Sequence, residues 1–196
     1  MELVTDRLKL DALHTDDAPA LFGYRADPEV WRYQNWRPES LAEVEHFIRK
    51  QSAISTPAAG QWMQRAIRLR GDGVLVGDLG FCLSGAGQAE FGINLAPSRQ
   101  GQGIAREASR ALLDFLFGTL GVHRVHASVD PRNTPSMALM RSLPLRQEAH
   151  LRESLWFRGE WVDDVVFAVL AREWREMPRP VGAHSVRDAG LPYRFN

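Results

Sequence analysis

A strand-like run breaks at Ile93-Asn94-Leu95-Ala96-Pro97-Ser98-Arg99-Gln100-Gly101-Gln102-Gly103-Ile104-Ala105 into a glycine-bearing loop that opens directly into a helix. Ile104, Ala108, Ala111, Leu112 and Phe115 recur at spacings of three and four, which predicts a helix from about Gly103 with one apolar stripe. The first turn of such a helix presents free backbone N–H groups and a favourable field for negative charge. Gly101 and Gly103 carry no Cβ to hold a ligand away, so the loop reads as an anion cradle suited to a pyrophosphate. The Rossmann fingerprint needs three glycines and a Walker loop needs Gly-Lys-Ser/Thr; Gly101-Gln102-Gly103-Ile104 meets neither. A ligand-free strand-to-helix turn is the competing reading of the same residues.

The elements that must hold this loop alternate in character along the chain. Leu8-Lys9-Leu10 reads as a strand, and Thr15-Asp16-Asp17 supplies N-cap chemistry for a helix through Leu21 and Phe22. An aromatic-rich segment from Asp27 to Pro38 carries Trp31, Tyr33 and Trp36, and Ser40 caps a helix bearing Leu41, Val44, Phe47 and Ile48. Trp62 to Leu69, Val74 to Leu83 and Ala89 to Leu95 read as an antiparallel meander leading into the cradle. Beyond the cradle helix come a strand at His123 to Val129, a helix opened by Asn133-Thr134-Pro135, and final strands at Arg146 to Leu155 and Val162 to Leu170. A strand, helix and strand in that order imply a local parallel pairing.

Composition narrows the function classes. The 196 residues are 44% hydrophobic and 24% charged with a formal net charge of zero, which is ordinary for one globular domain and leaves no overall electrostatic footprint for nucleic acid or an anionic membrane. The single Cys82 excludes an internal disulfide, and Met1-Glu2-Leu3-Val4 lacks the pattern of a signal peptide, so a cytoplasmic location is the default. His123 and His126 read as strand packing rather than a metal site, because no cysteine or carboxylate stands at ligand spacing. A single domain over 1–177 and a tail over 178–196, docked or disordered, is the expected organisation.

Several ordered blocks together resemble the GNAT superfamily of N-acetyltransferases, and within it the branch that acetylates ribosomal-protein N-termini. They are Thr5-Asp6-Arg7-Leu8-Lys9-Leu10, Asp27-Pro28-Glu29-Val30, Gly77-Asp78-Leu79-Gly80, Ala89-Glu90-Phe91-Gly92, the Gly101-Gln102-Gly103 loop, Leu120-Gly121-Val122-His123-Arg124-Val125, Asp130-Pro131-Arg132-Asn133 and Gly159-Glu160-Trp161-Val162-Asp163. The resemblance implies an α/β (α+β) fold whose mixed, mostly antiparallel sheet of about seven strands is flanked by helices. It also implies a splayed parallel pair at the cofactor cleft.

That resemblance assigns acetyl-CoA as co-substrate with no metal. The cradle from Arg99 and Gln100 through Gly101, Gln102, Gly103, Ile104 and Ala105 would take the pyrophosphate, and the backbone of Ile93, Asn94 and Leu95 would pair with the pantetheine arm. Direct attack on the thioester needs a neutral amine, while an N-terminal amine has pKa about 7.7–8.0 and a lysine about 10.4, so a base is useful. The resemblance places Glu90 in that role, Asn133 on the cofactor arm and Ser136 near the sulfur as general acid; helix capping by Asn133 competes with and is compatible with this. Trp31, Tyr33, Trp36 and Asp163 are the expected acceptor-side residues. The implied partner is an amine acceptor, a protein N-terminus or a small amine, with no nucleic acid or membrane and with a homodimer left open; a silent acyl-CoA-binding module and a nucleotide-binding regulator are the alternatives. Three positions depart from the family pattern: Ser98 precedes Arg99 where Gln or Arg is usual, Ile93 replaces an aromatic residue, and Leu143-Pro144-Leu145 cannot end its helix with a left-handed glycine cap.

Overall fold

Side-chain caps start several of the helices. Asp27 accepts from the Glu29 N–H at 2.8 Å with Pro28 as the first helical residue, Ser40 accepts from Glu43 at 3.2 Å, and Asn133 accepts from Ser136 at 3.2 Å. The computed structural model describes residues 1–177, so the expectation for the 178–196 tail lies outside the described residues. In chain order the elements are β1 (Leu3–Val4), β2 (Leu8–Asp11), α1 (Ala18–Arg25), α2 (Pro28–Trp31), α3 (Leu41–Ser52), β3 (Trp62–Leu69), β4 (Leu75–Ser84) and β5 (Gln88–Leu95). They continue as α4 (Ile104–Gly118), β6 (Arg124–Val129), α5 (Thr134–Ser142), β7 (Arg146–Phe157), β8 (Glu160–Leu170) and α6 (Ala171–Glu176).

All strands join one eight-stranded sheet in the order β1-β2-β3-β4-β5-β6-β8-β7. Every neighbouring pair is antiparallel except β5 and β6, which the α4 crossover makes parallel. The eighth strand, beyond the seven expected, is the two-residue β1, too short to leave a periodic signal. The β7–β8 hairpin extends past the expected ends because Arg158 and Gly159 turn it tightly with φ of 51° and 88°.

Alternation along each strand sorts side chains onto two faces. On one face Leu79, Phe81, Phe91 and Ile67 pack under Leu112 and Phe115 of α4, with the Phe81 and Phe115 rings edge-on at 6.2 Å. On the other, Ala66 meets Leu21 of α1 and Val44 and Ile48 of α3. Helix α5 ends as its sequence requires: Leu143, the residue before Pro144, is extended at φ −89° and ψ 156°. No described helix is long and apolar enough to cross a membrane.

Candidate active site

The site begins where two strands part. β5 stays paired with β4 out to Leu95, but it pairs with β6 only over Gln88–Glu90 against Arg124–His126. From Phe91 onward the β5 edge that faces β6 has no strand partner, so its backbone N–H and C=O groups are available to an extended ligand. The last paired row, Glu90 opposite His126, is the vertex of the opening.

A cleft of about 590 Å³ spreads from that vertex. Glu90, Ile93, Asn94, Asn133, Ser136, Tyr33, Trp36 and Asp163 all line it, although they come from distant parts of the chain. The Glu90 side chain is 40% exposed and lies 3.9 Å from His126 Nε2. Burial lowers the His126 pKa and Arg124 adds to this; Glu90, the Ala89 carbonyl and Glu148 oppose it without cancelling it. Asn133 caps α5 through its Oδ1, which leaves its amide nitrogen uncommitted, and the Ser136 hydroxyl makes no hydrogen bond among the described residues. Capping and ligand contact are therefore compatible at Asn133.

A buried charge cluster supports the part of the cleft wall formed by Arg25, Trp36 and Asn94. Asp78, fully buried on β4, accepts from Tyr24 Oη at 2.6 Å and from Arg25 Nε at 3.1 Å, and pairs with Arg25 Nη2. Burial opposes the charge of Arg25, but Asp78 outweighs it and raises the guanidinium pKa; burial and then Asp78 push the Tyr24 phenol well above its usual value. The same guanidinium sits 5.7 Å from the Trp36 ring centre. With the Asn94 amide oriented as its surroundings require, its oxygen accepts from both Arg25 Nη atoms at 3.1 Å and its nitrogen meets Gln34 at 3.3 Å. Trp36 stacks on Phe47 at 4.4 Å and donates to Glu43 at 2.6 Å. The sequence reading missed Arg25, Gln34 and Asp78 as site-forming residues, because their partners lie dozens of positions away.

The glycine loop lies at the far end of the unpaired β5 edge. Gly101 and Gly103 have φ of 72° and 75°, the left-handed region where a side chain is strained, and Gly103 is the N-cap of α4. Gln100 and Gln102 brace the turn through the carbonyls of Leu95 and Ser98. Arg99 closes a single 3₁₀ turn from Pro97, Ile104 is buried in the α4 core, and Ala105 packs against that core. Leu95 likewise turns its side chain into the core, leaving only its backbone for a ligand. Arg7, which the sequence reading placed only in a motif block, lies beside the loop: it donates to the Gln102 carbonyl at 3.0 Å and to Glu107 at 2.6 Å.

Trp31 is the expected acceptor residue that the fold puts elsewhere. It does not line the cleft; its ring lies between Arg37 at 4.9 Å and Arg158 at 4.5 Å, where α2 meets the β7–β8 turn. Arg158 also donates to the Gln34 carbonyl at 3.0 Å, and Tyr33 donates to the Arg132 carbonyl at 3.2 Å, so the hairpin tip and the β6–α5 loop are both tied to the α2–α3 segment. Asp163 does line the cleft but is held by the Glu153 N–H at 2.9 Å and His150 at 2.7 Å, which keep its pKa low. Its neighbour Asp164, also on the cleft, accepts from Ser128. Among the described residues no group of three or more His, Cys, Asp and Glu side chains is placed to hold a metal ion.

Comparisons with known proteins address the family and the fold. The model of the acetyltransferase (GNAT) domain matches residues 7–146. An uncharacterized N-acetyltransferase p20 of Bacillus licheniformis is 33% identical over 175 residues, covering 88% of this chain and 97% of that protein. The ribosomal protein uS5-alanine N-acetyltransferase of Escherichia coli is 25% identical, covering 89% of this chain and 93% of its own length. Among solved structures, a GNAT-family acetyltransferase from Bacillus anthracis superposes with a TM-score of 0.79 at 25% identity, covering 88% of this chain and 99% of that one.

Proposed function

The chain belongs to the GNAT family of N-acetyltransferases, and on that premise we propose that it acetylates the α-amine of a protein or peptide N-terminus by direct attack on acetyl-CoA in a ternary complex. The observation that carries this reading is the continuity of one strand: β5 bears Glu90 at the vertex, offers an unpaired edge from Phe91 to Leu95, and ends at the left-handed glycine loop before α4. A phosphorylated, extended thioester ligand fits each part in turn. The free edge suits the amide-bearing arm, and the loop with the α4 N-terminus suits the pyrophosphate.

Glu90 takes a proton from the incoming ammonium, and the neutral amine attacks the carbonyl carbon. The N–C bond forms, the C–S bond breaks, and Ser136, across the cleft, donates a hydrogen bond or proton to the departing sulfur, with the amine's second proton making up the balance. Arg25, fixed by Asp78, sets the Asn94 and Trp36 side of the acceptor wall. Likeness over nearly the full chain to an enzyme that acetylates a ribosomal protein favours an N-terminal acceptor.

Steady-state turnover with acetyl-CoA against N-terminal peptides and small amines tests the assignment. Glu90→Gln is expected to lose on the order of 10²–10⁴ in kcat, the usual contribution of a general base, with CoA affinity by calorimetry unchanged. Turnover restricted to small amines would overturn the acceptor, and CoA binding with no turnover on any amine would mark a non-catalytic binding module.

A further inference from the structure

The vertex row contains a second titratable group that the reaction as described leaves idle. His126 stands opposite Glu90 in the last paired row of β5 and β6, and its Nε2 is turned to the Glu90 carboxylate at 3.9 Å, a gap that one side-chain rotation or one water closes. Its Nδ1 is buried without a hydrogen bond of normal geometry, and the Ala89 carbonyl is the backbone group that acts on the ring. An imidazole is in general a stronger base than a carboxylate, so a proton taken by Glu90 has a further acceptor one strand away.

We propose that His126 is the terminal proton acceptor of the reaction, receiving through Glu90 the proton removed from the amine. This rests on the reading of Glu90 as the base. The ammonium N–H bond breaks as a Glu90 O–H bond forms; that proton then moves to a ring nitrogen of His126, giving an imidazolium paired with the restored carboxylate. The amine's second proton ends on the sulfur, and the imidazolium releases the first to solvent, so one proton leaves per acetyl transferred. His126 acts only through Glu90, as a positioning residue that touches no substrate atom.

The surroundings suit a neutral imidazole that can charge transiently. On its own strand stands Arg124, bound to Glu148 of β7 at 2.6 Å and to Gln88 of β5 at 3.1 Å; on β5 stands Glu90, and beyond it on β4 Cys82, whose thiol burial and Glu90 push up. The residue facing it from β8 is Ala168, which carries no charge. Burial and then Arg124 favour the neutral ring, while Glu90 and Glu148 favour the charged one.

The test combines kinetics with NMR titration of the histidine ring in the intact chain. His126→Gln and His126→Asn should each lower kcat by roughly 10- to 100-fold, the lower part of the general-base range, and move the acidic limb of kcat to lower pH, with CoA affinity unchanged. In Glu90→Gln the imidazole of His126 should titrate at lower pH than in the wild type, since the carboxylate that favours its charged form is gone. Unchanged kcat and an unmoved acidic limb in both His126 variants would overturn the proposal while leaving Glu90 as the base. So would a His126 titration indifferent to Glu90→Gln, a measurement that stands even where a His126 variant fails to fold. Full turnover by Glu90→Gln would instead remove the base assignment itself.

Discussion

Asp78→Asn removes one charge from beneath the cleft wall formed by Arg25, Trp36 and Asn94 and changes almost no volume. Asp78 is wholly buried and the Arg25 side chain is 5% exposed, so the variant leaves a guanidinium in the interior with no counter-charge. Truncating one partner of a buried pair costs about 3–5 kcal/mol because the surviving charge is uncompensated. For a chain of this size each kcal/mol moves the midpoint by roughly 2–4 °C, so Tm should fall by roughly 6–20 °C. Thermal and urea melts measure this. The charge-free double variant Arg25→Met/Asp78→Leu should recover part of the loss, since well-packed apolar replacements of buried ion pairs are often neutral, while the Tyr24 hydroxyl left without its acceptor keeps about 1–3 kcal/mol of it. Catalysis separates from stability in that double variant: with Arg25 no longer holding Asn94 and Trp36, kcat/KM for the amine should fall while KM for acetyl-CoA holds. A stability of Asp78→Asn within about 1 kcal/mol of the wild type would refute the view that Arg25 depends on Asp78 for its charge compensation, and so would a double variant no more stable than the single.

Gly103→Ala places a side chain at φ 75° with its Cβ about 3.5 Å from Arg7 Nη2; it should cost about 1–3 kcal/mol and raise KM for acetyl-CoA, and an unchanged KM would remove the loop from the cofactor site. Burial alone would raise the Glu107 pKa, but Thr5 and then Arg7 outweigh it and hold the carboxyl below its ordinary 4.5. The folded pKa is thus depressed, so this group's stabilisation is full above pH 4.5 and disappears as the pH falls through the lower folded value. In acid titrations of stability Thr5→Val should flatten that loss, and a parallel curve for the variant would exclude Glu107 as its source. Trp31→Ala removes two cation–π contacts at the hairpin tip and should cost about 1–2 kcal/mol, raising KM for the amine without changing CoA affinity by calorimetry.

Sequence alone determined the order of the main elements and the position of the glycine loop before α4. Both follow from local chemistry: the stripe from Ile104 to Phe115, the caps at Ser40 and Asn133, and glycines at Gly101 and Gly103 where the backbone turns left-handed. Elements with too few residues to show a period, β1 and α2, were not legible, and neither was α6. Tertiary structure decided everything that needed two distant segments to meet. It parted β5 from β6 at Glu90 and His126, an event set by strand pairing rather than by either strand's residues. It also turned Trp31 away from the cleft that Tyr33 and Trp36 line, because α2 is anchored by the hairpin tip. Arg25 and Asp78, 53 positions apart, read singly as an ordinary helix-end cation and strand carboxylate. Only burial against one another makes them the support of that cleft wall, since a charge's energy depends on its partner and its solvent exposure, and neither is written in the local sequence.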